Sequence, residues 1–434
     1  MAEKLKRVAI IGGGYAGLAA AVELARQGVP VTLFEAGKTL GGRARGISYR
    51  GIAMDNGQHI LLGAYRETLR LMALVGVKQE DAMLRLPLAL RIPGHFTLKP
   101  PALPAPLHLI AGLLLAQGLP LGERLAAIRF ALALRLKDFR LAQDMSVASL
   151  LTHYRQGGKI GSLLWEPLCL AALNTPMRQA SAQVFLNVLR DSFGRARSDS
   201  DVVLPRTDLT SLFPLVASEF IRQHGGQVVC GCRIRRIGQV NGYFALGREE
   251  GEENFSHVVC AAAPQHALTL LAGLPEAAPA INLLRRFDYQ PIATIYLQYP
   301  RETRLSAPML GLTGGFAQWV FDRGCTHGTP GLLAVVISAA GEHQDWPAEQ
   351  LAGKVNLELR QALALPPPLW HKVIVERRAS FACTVGLERP AQSTGLKNFY
   401  LAGDYTAGDY PATIEGAVRS GVKCAELITR NEQR

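Results

Sequence analysis

The sequence predicts an α/β protein in which a parallel sheet with packed helices is interleaved with a second, α+β region. Residues 8–11, VAII, form a short β-branched run typical of a buried parallel strand, and residues 16–27 have the apolar spacing of a helix packed on a sheet. Residues 30–35, PVTLFE, predict a second strand. Strand, helix and strand in this order indicate a Rossmann-like βαβ unit. The alternating stretches ATIYLQY (293–299) and LLAVVIS (332–338) predict an antiparallel sheet elsewhere in the chain.

Length and charge limit the function classes. A chain of 434 residues is too long for one small core, so more than one domain is expected. Its formal net charge of +12 favours a phosphate-rich ligand or an anionic membrane face. The sequence has no run of Lys and Arg interleaved with aromatic residues and no zinc-spaced Cys/His cluster. We therefore expect neither a nucleic-acid partner nor a metal site.

The cysteines and the first residues indicate the compartment. Seven scattered cysteines, an odd number, do not suggest a disulfide framework and are typical of reduced thiols. The opening MAEKLKRVAIIGGG passes from a short charged segment directly into the first strand, without the apolar region of a signal peptide. The longest apolar stretch, 107–119, is shorter than the ~20 residues of a spanning helix. These features predict a cytoplasmic protein without a membrane span.

A glycine motif joins the first strand to the first helix. Gly12, Gly14 and Gly17 have GxGxxG spacing. The first glycine permits the tight turn, the second lets the backbone approach a pyrophosphate, and the third lets helix and strand pack closely. Glu35 follows at the end of the second strand, where a carboxylate suits the hydroxyls of an adenosine ribose. A purely structural turn is the alternative, but the ordered set favours dinucleotide binding.

Two further segments indicate which dinucleotide is bound. Gly42, the second glycine of a pair, is followed at once by Arg43, which gives another close backbone approach and a fixed cation for phosphate. Near the other end, LAGDYTAGDYPATIEGAVRSG (401–421) places Asp404 before a final helix, with Pro411 predicted in its first turn. The start of a helix favours negative charge. A cofactor with two separate binding regions is expected, and FAD is long enough to need both.

At these residues the sequence resembles a family. The segments GGGYAGLAAAVELARQG (12–28), FEAGKTLGGRAR (34–45) and AGDYTAGDYPATIEGAVRSG (402–421) are similar to the FAD-binding segments of the flavin amine oxidase and phytoene desaturase superfamily. Within it, DNGQH (55–59) and LNTP (173–176) most resemble the bacterial hydroxysqualene dehydroxylases. The resemblance extends from the first strand to the last helix.

The resemblance implies a role for each matching residue. By similarity, Gly12, Gly14 and Gly17 would hold the diphosphate, and Glu35 the adenine ribose. Gly42 and Arg43 would lie beside the diphosphate and the flavin chain, and residues 228–237 would flank the adenine. Asp404 would contact ribityl or phosphate oxygens, and the backbone N–H groups near Thr413 and Ile414 would point at the N1/O2 edge of the flavin.

The resemblance also implies a discontinuous, two-domain organisation. Residues 1–85, 200–275 and 385–434 would form the Rossmann-like FAD-binding domain. Residues 86–199 and 276–384 would form the α+β substrate-binding domain, a helical subdomain plus the antiparallel sheet. The leucine-rich, sparsely basic part of this region has two interpretations that stay open. It buries a leucine face in the subdomain, or it forms an apolar tunnel or a lip that docks on the inner face of the cytoplasmic membrane.

The implied reaction is reductive removal of the hydroxyl of hydroxysqualene, a polyprenyl substrate, to give squalene in hopanoid biosynthesis. NAD(P)H or another electron donor would reduce the FAD. A general acid must assist the loss of water, and His59 and Tyr410 are our candidates, with Asp55 and Tyr405 as further ones. Alternatively, DNGQH is a turn followed by a structurally satisfied histidine. Competing functions are a carotenoid-type desaturase, a flavin amine oxidase and a flavin-free prenyl-binding protein.

Overall fold

A computed structural model describes residues 6–249 and 251–430. Its strands, in chain order, are β1 (Val8–Ile11), β2 (Val31–Glu35), β3 (Gly46–Tyr49), β4 (Ile52–Asp55), β5 (Leu61–Leu62), β6 (Met83–Leu86), β7 (Leu90–Ile92), β8 (Phe96–Leu98), β9 (Val202–Pro205), β10 (Gln227–Cys230), β11 (Arg236–Val240), β12 (Tyr243–Arg248), β13 (Gly251–Phe255), β14 (His257–Cys260), β15 (Tyr289–Gln298), β16 (Met309–Gly311), β17 (Trp319–Asp322), β18 (Leu332–Ser338), β19 (Trp370–Phe381) and β20 (Phe399–Leu401).

The α-helices, in chain order, are α1 (Tyr15–Arg26), α2 (Arg66–Leu74), α3 (Gln79–Ala82), α4 (Leu107–Leu114), α5 (Leu121–Leu136), α6 (Val147–His153), α7 (Glu166–Leu173), α8 (Ala182–Phe193), α9 (Leu209–Leu212), α10 (Pro214–Gln223), α11 (Pro264–Leu271), α12 (Ala278–Leu284), α13 (Arg323–His327), α14 (Ala348–Leu363) and α15 (Ile414–Arg430). A π-helical turn, Gly161–Trp165, precedes α7. Among the described residues, no helix combines the length and the apolarity needed to cross a bilayer.

A five-stranded parallel sheet in the order β10-β2-β1-β14-β20 forms the first layer. Its strands come from widely separated parts of the chain, which confirms the predicted interleaving. The helices α1 and α15 lie side by side against this sheet and pack with their backbones in close contact. A side-chain carbon at Gly421 of α15 would lie 2.1 Å from the carbonyl oxygen of Ala16 in α1. Only a glycine therefore allows the two helices to approach this closely.

The predicted antiparallel sheet is also confirmed. Its order is β16-β17-β18-β15-β19, and Ile292 of β15 pairs with Ser338 of β18. Because side chains alternate along a strand, Ile295 packs with α14 in one apolar cluster and Tyr296 joins a second cluster on the opposite face. The second cluster also contains the buried faces of α4 and α5. The sheet thus separates a closed core from the side that faces the helical region.

The LNTP segment fastens the helical region to this sheet. Asn174 ends α7 in a left-handed conformation with φ of 47°. Its Nδ2 donates to Oγ of Ser380 at 2.9 Å and to the carbonyl oxygen of Pro291 at 3.2 Å, and its Oδ1 accepts from the backbone N–H of Ala339 at 2.7 Å. All the polar atoms of this buried amide are bonded within the protein, so the segment has a structural role.

The predicted start of the last helix is wrong by three residues. The first residue of α15 is Ile414, and Thr413 is its N-cap, because Oγ1 of Thr413 accepts from the N–H of Gly416 at 3.1 Å. Pro411 therefore lies in the preceding loop and not in the first helical turn. Both a capping threonine and a proline can mark the start of a helix. In α15 the threonine cap determines the first helical residue.

Candidate FAD site

The glycine turn between β1 and α1 forms a cradle that side chains would fill. Gly12 has φ of +115°, and a side-chain carbon there would lie 2.6 Å from the carbonyl oxygen of Ala261. At Gly17 the same carbon would lie 2.0 Å from the carbonyl oxygen of Gly12. Gly14 is different, because the nearest atom to such a carbon is the Cα of Gly42 at 3.9 Å. The open space beside Gly14 lies at the N-terminal end of α1.

The N-terminus of α1 is suited to an anion. Its N-cap residue, Gly14, makes no side-chain capping hydrogen bond, and the first turn contains no acidic residue. The helix therefore presents backbone N–H groups and the positive end of its dipole without a negative side chain of its own. These features fit a diphosphate, which carries the charge that this end lacks.

Glu35 lies at the rim of the same cradle. Its Oε2 accepts from the N–H of Gly13 at 2.7 Å, and its Oε1 accepts from the N–H of Gly37 at 2.7 Å. The neighbouring strand β10 reaches this position, since Cys230 pairs with Glu35 and the N–H of Cys232 donates to the Glu35 carbonyl oxygen at 2.9 Å. The backbone fixes the carboxylate, which keeps lone pairs for the hydroxyls of a ribose.

The second glycine pair lies directly beside the first motif. The N–H of Gly41 donates to the carbonyl oxygen of Gly13 at 2.8 Å. Arg43 then reaches across the molecule, because its Nη2 lies 2.6 Å from Oδ1 of Asp404 and its Nη1 donates to the carbonyl oxygen of Ala379 at 2.8 Å. Residues from both ends of the chain and from β19 therefore meet at one place, as the FAD hypothesis expects.

A single arginine orders the loop that carries Asp404. Arg389 donates to the carbonyl oxygens of Asp404 at 3.3 Å and Tyr410 at 2.8 Å, and also to that of Gly408. These bonds satisfy three backbone acceptors of the loop with one side chain. The loop leads into Thr413 and the N-terminus of α15, so Arg389 fixes the approach to that helix.

Glu415, in the first turn of α15, points away from the helix end. It is fully buried, and its Oε2 accepts from the N–H of Thr68 at 2.9 Å and from the Thr68 hydroxyl at 2.7 Å. Its Oε1 accepts from Nε of Arg419 at 2.7 Å. The carboxylate thus caps the neighbouring helix α2, and the backbone N–H groups at the start of α15 keep their positive field.

The DNGQH segment is anchored by a buried ion pair. Oδ2 of Asp55 lies 3.0 Å from Nη1 of Arg323, and the two side chains are 3% and 0% exposed. Oδ1 of Asp55 accepts from the N–H of Leu209 at 2.8 Å, and Oε1 of Gln58 accepts from Arg323 at 3.2 Å. The hydroxyl of Tyr296 donates to the carbonyl oxygen of Asp55 at 3.0 Å. Burial raises the pKa of Asp55, and the positive charge of Arg323 opposes that rise.

His59 is the last residue of this segment. Of its two ring nitrogens, Nδ1 bonds to a neighbouring residue of the loop and Nε2 does not. Its Nδ1 lies 2.7 Å from the carbonyl oxygen of Gly57, so Nδ1 carries the proton and donates. Burial lowers the pKa of His59, which favours the neutral ring. Nε2 then carries a lone pair. DNGQH can be interpreted either as a source of catalytic groups or as a structural turn. The ion pair and hydrogen bonds of Asp55 and Gln58 fit the structural interpretation.

Tyr410 has different surroundings from His59. Its ring packs edge-on against Tyr65 with centroids 6.4 Å apart, and the Arg419 guanidinium lies 4.7 Å from its centroid. Burial raises its pKa. Tyr410 lines a polar cavity of about 720 Å³ together with Arg389 and Asp404. The two candidates thus lie in different surroundings, and the catalytic role of each stays a prediction.

Comparison with known proteins identifies the family. The model of the family described as flavin containing amine oxidoreductase matches residues 15–429. The chain belongs to this family. Membership of the flavin containing amine oxidoreductases confirms the predicted FAD-dependent oxidoreductase, and the parallel sheet, glycine cradle and Arg43–Asp404 pair are the parts of the structure that fit the cofactor.

Individual members of the family resemble the chain over its whole length. It is 31% identical to hydroxysqualene dehydroxylase of Rhodopseudomonas palustris, over 98% of both chains. It is 28% identical to hydroxysqualene dehydroxylase of Sinorhizobium fredii, over 97% of this chain and 98% of the other. Identity to zeta-carotene desaturase of Synechocystis is 25%, over 99% and 98%. The resemblance predicted from DNGQH and LNTP is confirmed.

A solved structure shows the same fold. Cyclohexylamine oxidase of Brevibacterium oxydans superposes with a TM-score of 0.74 at 17% identity, covering 99% of this chain and 100% of that one. At this identity the comparison concerns the fold alone, and it agrees with the predicted α/β class.

Three residues of the site carry no sequence signal that we used. Arg323 follows β17 in the segment FDRGC, Arg389 lies in a loop, and Glu415 is within a motif read only for its small residues. For Arg323, the sequence signal is a charged residue close to apolar ones. Such a residue predicts a buried arginine, which needs a partner of opposite charge. The partner itself, Asp55, lies 268 residues earlier.

Proposed function

We propose that the protein removes the hydroxyl group of hydroxysqualene reductively, giving squalene and water. The observation that carries the proposal is the full-length similarity to two hydroxysqualene dehydroxylases. When bound in its reduced form, FAD would supply the hydride, and a proton donor of the protein would convert the departing hydroxyl to water. NAD(P)H or another donor would restore the reduced cofactor.

The residues that would hold FAD follow from the cradle and the ion pair. Gly12, Gly14 and Gly17 would surround the diphosphate at the end of α1, and Glu35 would accept the ribose hydroxyls. Gly42, Arg43 and Asp404 would hold the chain between the phosphates and the ring. The N–H groups at Thr413 and Ile414 would stabilise negative charge on the ring edge.

The proton chemistry is assigned to His59. Its Nδ1 is committed to the Gly57 carbonyl, so only Nε2 can exchange a proton with a substrate hydroxyl. Burial lowers its pKa, which makes the protonated ring a stronger acid but a rarer species at neutral pH. If His59 is the acid, the rate falls as the pH rises through a value below 6.5. Tyr410, whose pKa burial raises, is the second candidate.

The interior beside the antiparallel sheet suits an apolar substrate. The face of the sheet that carries Tyr296 and Trp319 belongs to an apolar cluster that continues into the helical region. A long polyprenyl chain needs such a surface, because its burial is driven by removal of apolar area from water. We keep the predicted domain limits, 1–85, 200–275 and 385–434 against 86–199 and 276–384, as part of this proposal. A cytoplasmic enzyme with peripheral contact to the membrane is consistent with this substrate.

Anaerobic turnover tests the proposed reaction. The purified flavoprotein, reduced beforehand, is mixed with hydroxysqualene in detergent, and squalene is sought by mass spectrometry. One squalene formed per flavin oxidised is the expected result. Reduced flavin that persists with hydroxysqualene unchanged contradicts the proposal. A His59→Gln variant that retains flavin but loses turnover supports the proton role, and unchanged turnover assigns it elsewhere.

The similarity to zeta-carotene desaturase favours one alternative, a carotenoid-type desaturase that oxidises its substrate. Such an enzyme would use oxidised flavin and consume phytoene or a related polyene. The same preparation, oxidised and mixed with phytoene, distinguishes the two functions, because only the desaturase would then bleach the flavin. Amine oxidation is tested in parallel by release of peroxide from simple amines.

A further inference from the structure

The segment that contains α4 and α5 carries an unusual concentration of exposed leucines. Of the fourteen large apolar side chains that are exposed in the described part of the chain, eight lie between residues 103 and 136. We call these eight the leucine surface, and they are Leu103, Leu107, Leu114, Leu115, Leu121, Leu125, Leu132 and Leu136. Contiguous exposed apolar area of this kind marks an interaction site on a soluble protein.

The helix α5 has two apolar faces. Ala127, Phe130 and Leu134 are buried and pack into the interior cluster. Its four exposed leucines, at the first, fifth, twelfth and sixteenth positions of the helix, fall within about 60° of one another at about 100° per residue. They therefore form one stripe on the side opposite the buried face. The core explains only the inner face, and the outer stripe needs another partner.

The stripe continues onto α4. Arg124, beside the stripe, donates to the carbonyl oxygen of Leu114 at 3.1 Å and to that of Leu119 at 2.8 Å, which joins the end of α4 to the start of α5. Leu107 and Leu114 are seven residues apart and share one face of α4. From residue 100 to 122 the sequence contains no Asp, Glu, Lys or Arg. The part of the leucine surface that precedes α5 thus contains no charged residue.

The charges around the leucine surface are mainly positive. Between residues 99 and 140 there are six Lys and Arg and two Asp and Glu, a net charge of 6 − 2 = +4. One of the two acids, Glu123, is engaged in the fold, since its Oε2 accepts from the N–H of Ile160 at 2.7 Å. Arg129, Arg135 and Lys137 are exposed near the stripe. Apolar area bordered by cations complements a surface that is oily inside and anionic at its edge.

We propose that the leucine surface docks on an anionic lipid bilayer, with Leu125 and Leu132 entering the acyl region and Arg129 and Arg135 meeting lipid phosphates. This deepens the proposed function, because the buried faces of the same helices border the apolar cluster that reaches the antiparallel sheet. Docking brings that interior next to the membrane, where a polyprenyl alcohol dissolves. The substrate then passes from lipid to protein without crossing water.

Vesicle binding without substrate tests the docking. The purified flavoprotein is mixed with vesicles of phosphatidylcholine alone or of equal parts phosphatidylcholine and phosphatidylglycerol, and bound protein is measured by sedimentation. We expect binding to the anionic vesicles, weakened by salt and at least tenfold weaker for Leu125→Glu/Leu132→Glu. Leu369→Glu, at a residue that is 68% exposed and outside the leucine surface, is the matched control and should bind like the wild type. Flavin absorbance verifies that each variant is folded.

Two results overturn the docking. One is wild-type protein that does not bind anionic vesicles. This result overturns the docking whether or not the wild type forms a dimer that Leu125→Glu/Leu132→Glu abolishes. The other is a double variant that binds as tightly as the wild type. A separate assay of hydroxysqualene turnover in detergent shows whether the proposed reaction occurs, so failure of docking and failure of the reaction are distinguished. An Arg129→Glu/Arg135→Glu variant that loses binding only to anionic vesicles supports the assigned contacts.

Discussion

The proposed nucleotide end and the proposed ring end of the FAD site are built in different ways. At the nucleotide end, the backbone of a short segment provides the cradle, and Gly12 and Gly17 are needed because no side chain fits there. At the ring end, side chains distant in sequence meet, since Arg43 pairs with Asp404 and Asp55 pairs with Arg323. A fault at the first end is therefore steric and local, whereas a fault at the second leaves a charge without its partner.

The largest expected effect comes from the nucleotide end. Gly17→Ala would place a carbon 2.0 Å from a backbone oxygen, so we expect no folded flavoprotein. Gly14→Ala meets only an atom at 3.9 Å, and Gly14 has φ of −77°, so this chain should fold but lose FAD if the diphosphate crosses that space. Circular dichroism and flavin absorbance per chain measure the two properties. A Gly14→Ala protein that keeps full flavin would place the diphosphate elsewhere.

At the ring end, Arg323→Met should be the most destabilising single change. It leaves the Asp55 carboxylate buried without its cation, which costs about 3–5 kcal/mol in comparable pairs. Asp55→Asn in the same chain removes the unpaired charge and should recover part of this loss. Urea unfolding of the single and double variants gives the comparison. Equal stability of Arg323→Met and the wild type would show that the pair contributes nothing.

Acid should weaken the same region through His327. Burial, and after it the positive charge of Arg323, lower the pKa of His327 to about 3. The folded protein then keeps this ring neutral where the unfolded chain protonates it, so stability is lost as the pH falls below the ordinary value of 6.5. From pH 7.5 to 5.0 the loss from this group is up to about 2 kcal/mol. His327→Gln should unfold with a flatter pH dependence, and a parallel dependence would rule the group out.

The smallest expected effect concerns the cap of α15. Thr413→Ala removes the acceptor for the N–H of Gly416 and should cost about 1 kcal/mol of unfolding free energy. Thr413→Ser retains the oxygen and is the control. If both variants have the stability of the wild type, the start of α15 is held by its surroundings and not by its cap.

The strand, turn and helix of the proposed nucleotide end could be predicted from the sequence because their requirements are local. Strand, glycines, helix and acid follow one another within about thirty residues, and each has a backbone reason that a sequence displays. The sheet alternation of 293–299 and 332–338 was equally local, and β15 and β18 pair as expected. The start of α15 was misplaced, because Pro411 and Thr413 are competing signals and only the hydrogen bond decides between them.

The ring end could be predicted only in part. Arg43 and Asp404 were expected near the cofactor, but their contact with each other joins residues 361 positions apart. Nothing local indicates that Asp55 needs Arg323 or that Arg389 orders the loop of Asp404. Asn174 belongs to a segment that resembles the family. Its hydrogen bonds, which connect the end of α7 to the antiparallel sheet, cannot be predicted without the position of that sheet. Long-range pairs have no sequence period, and this is why they were missed.

The contact of α1 with α15 at Gly421 has a consequence for biosynthesis. While a ribosome is still translating residues before 399, the parallel sheet lacks β20 and the cradle lacks Asp404. The glycine turn is therefore translated long before β20 and Asp404. It lacks these partners until almost all later residues have been translated. If FAD is held by both segments, as proposed, the cofactor can be bound completely only after almost the whole chain has been translated.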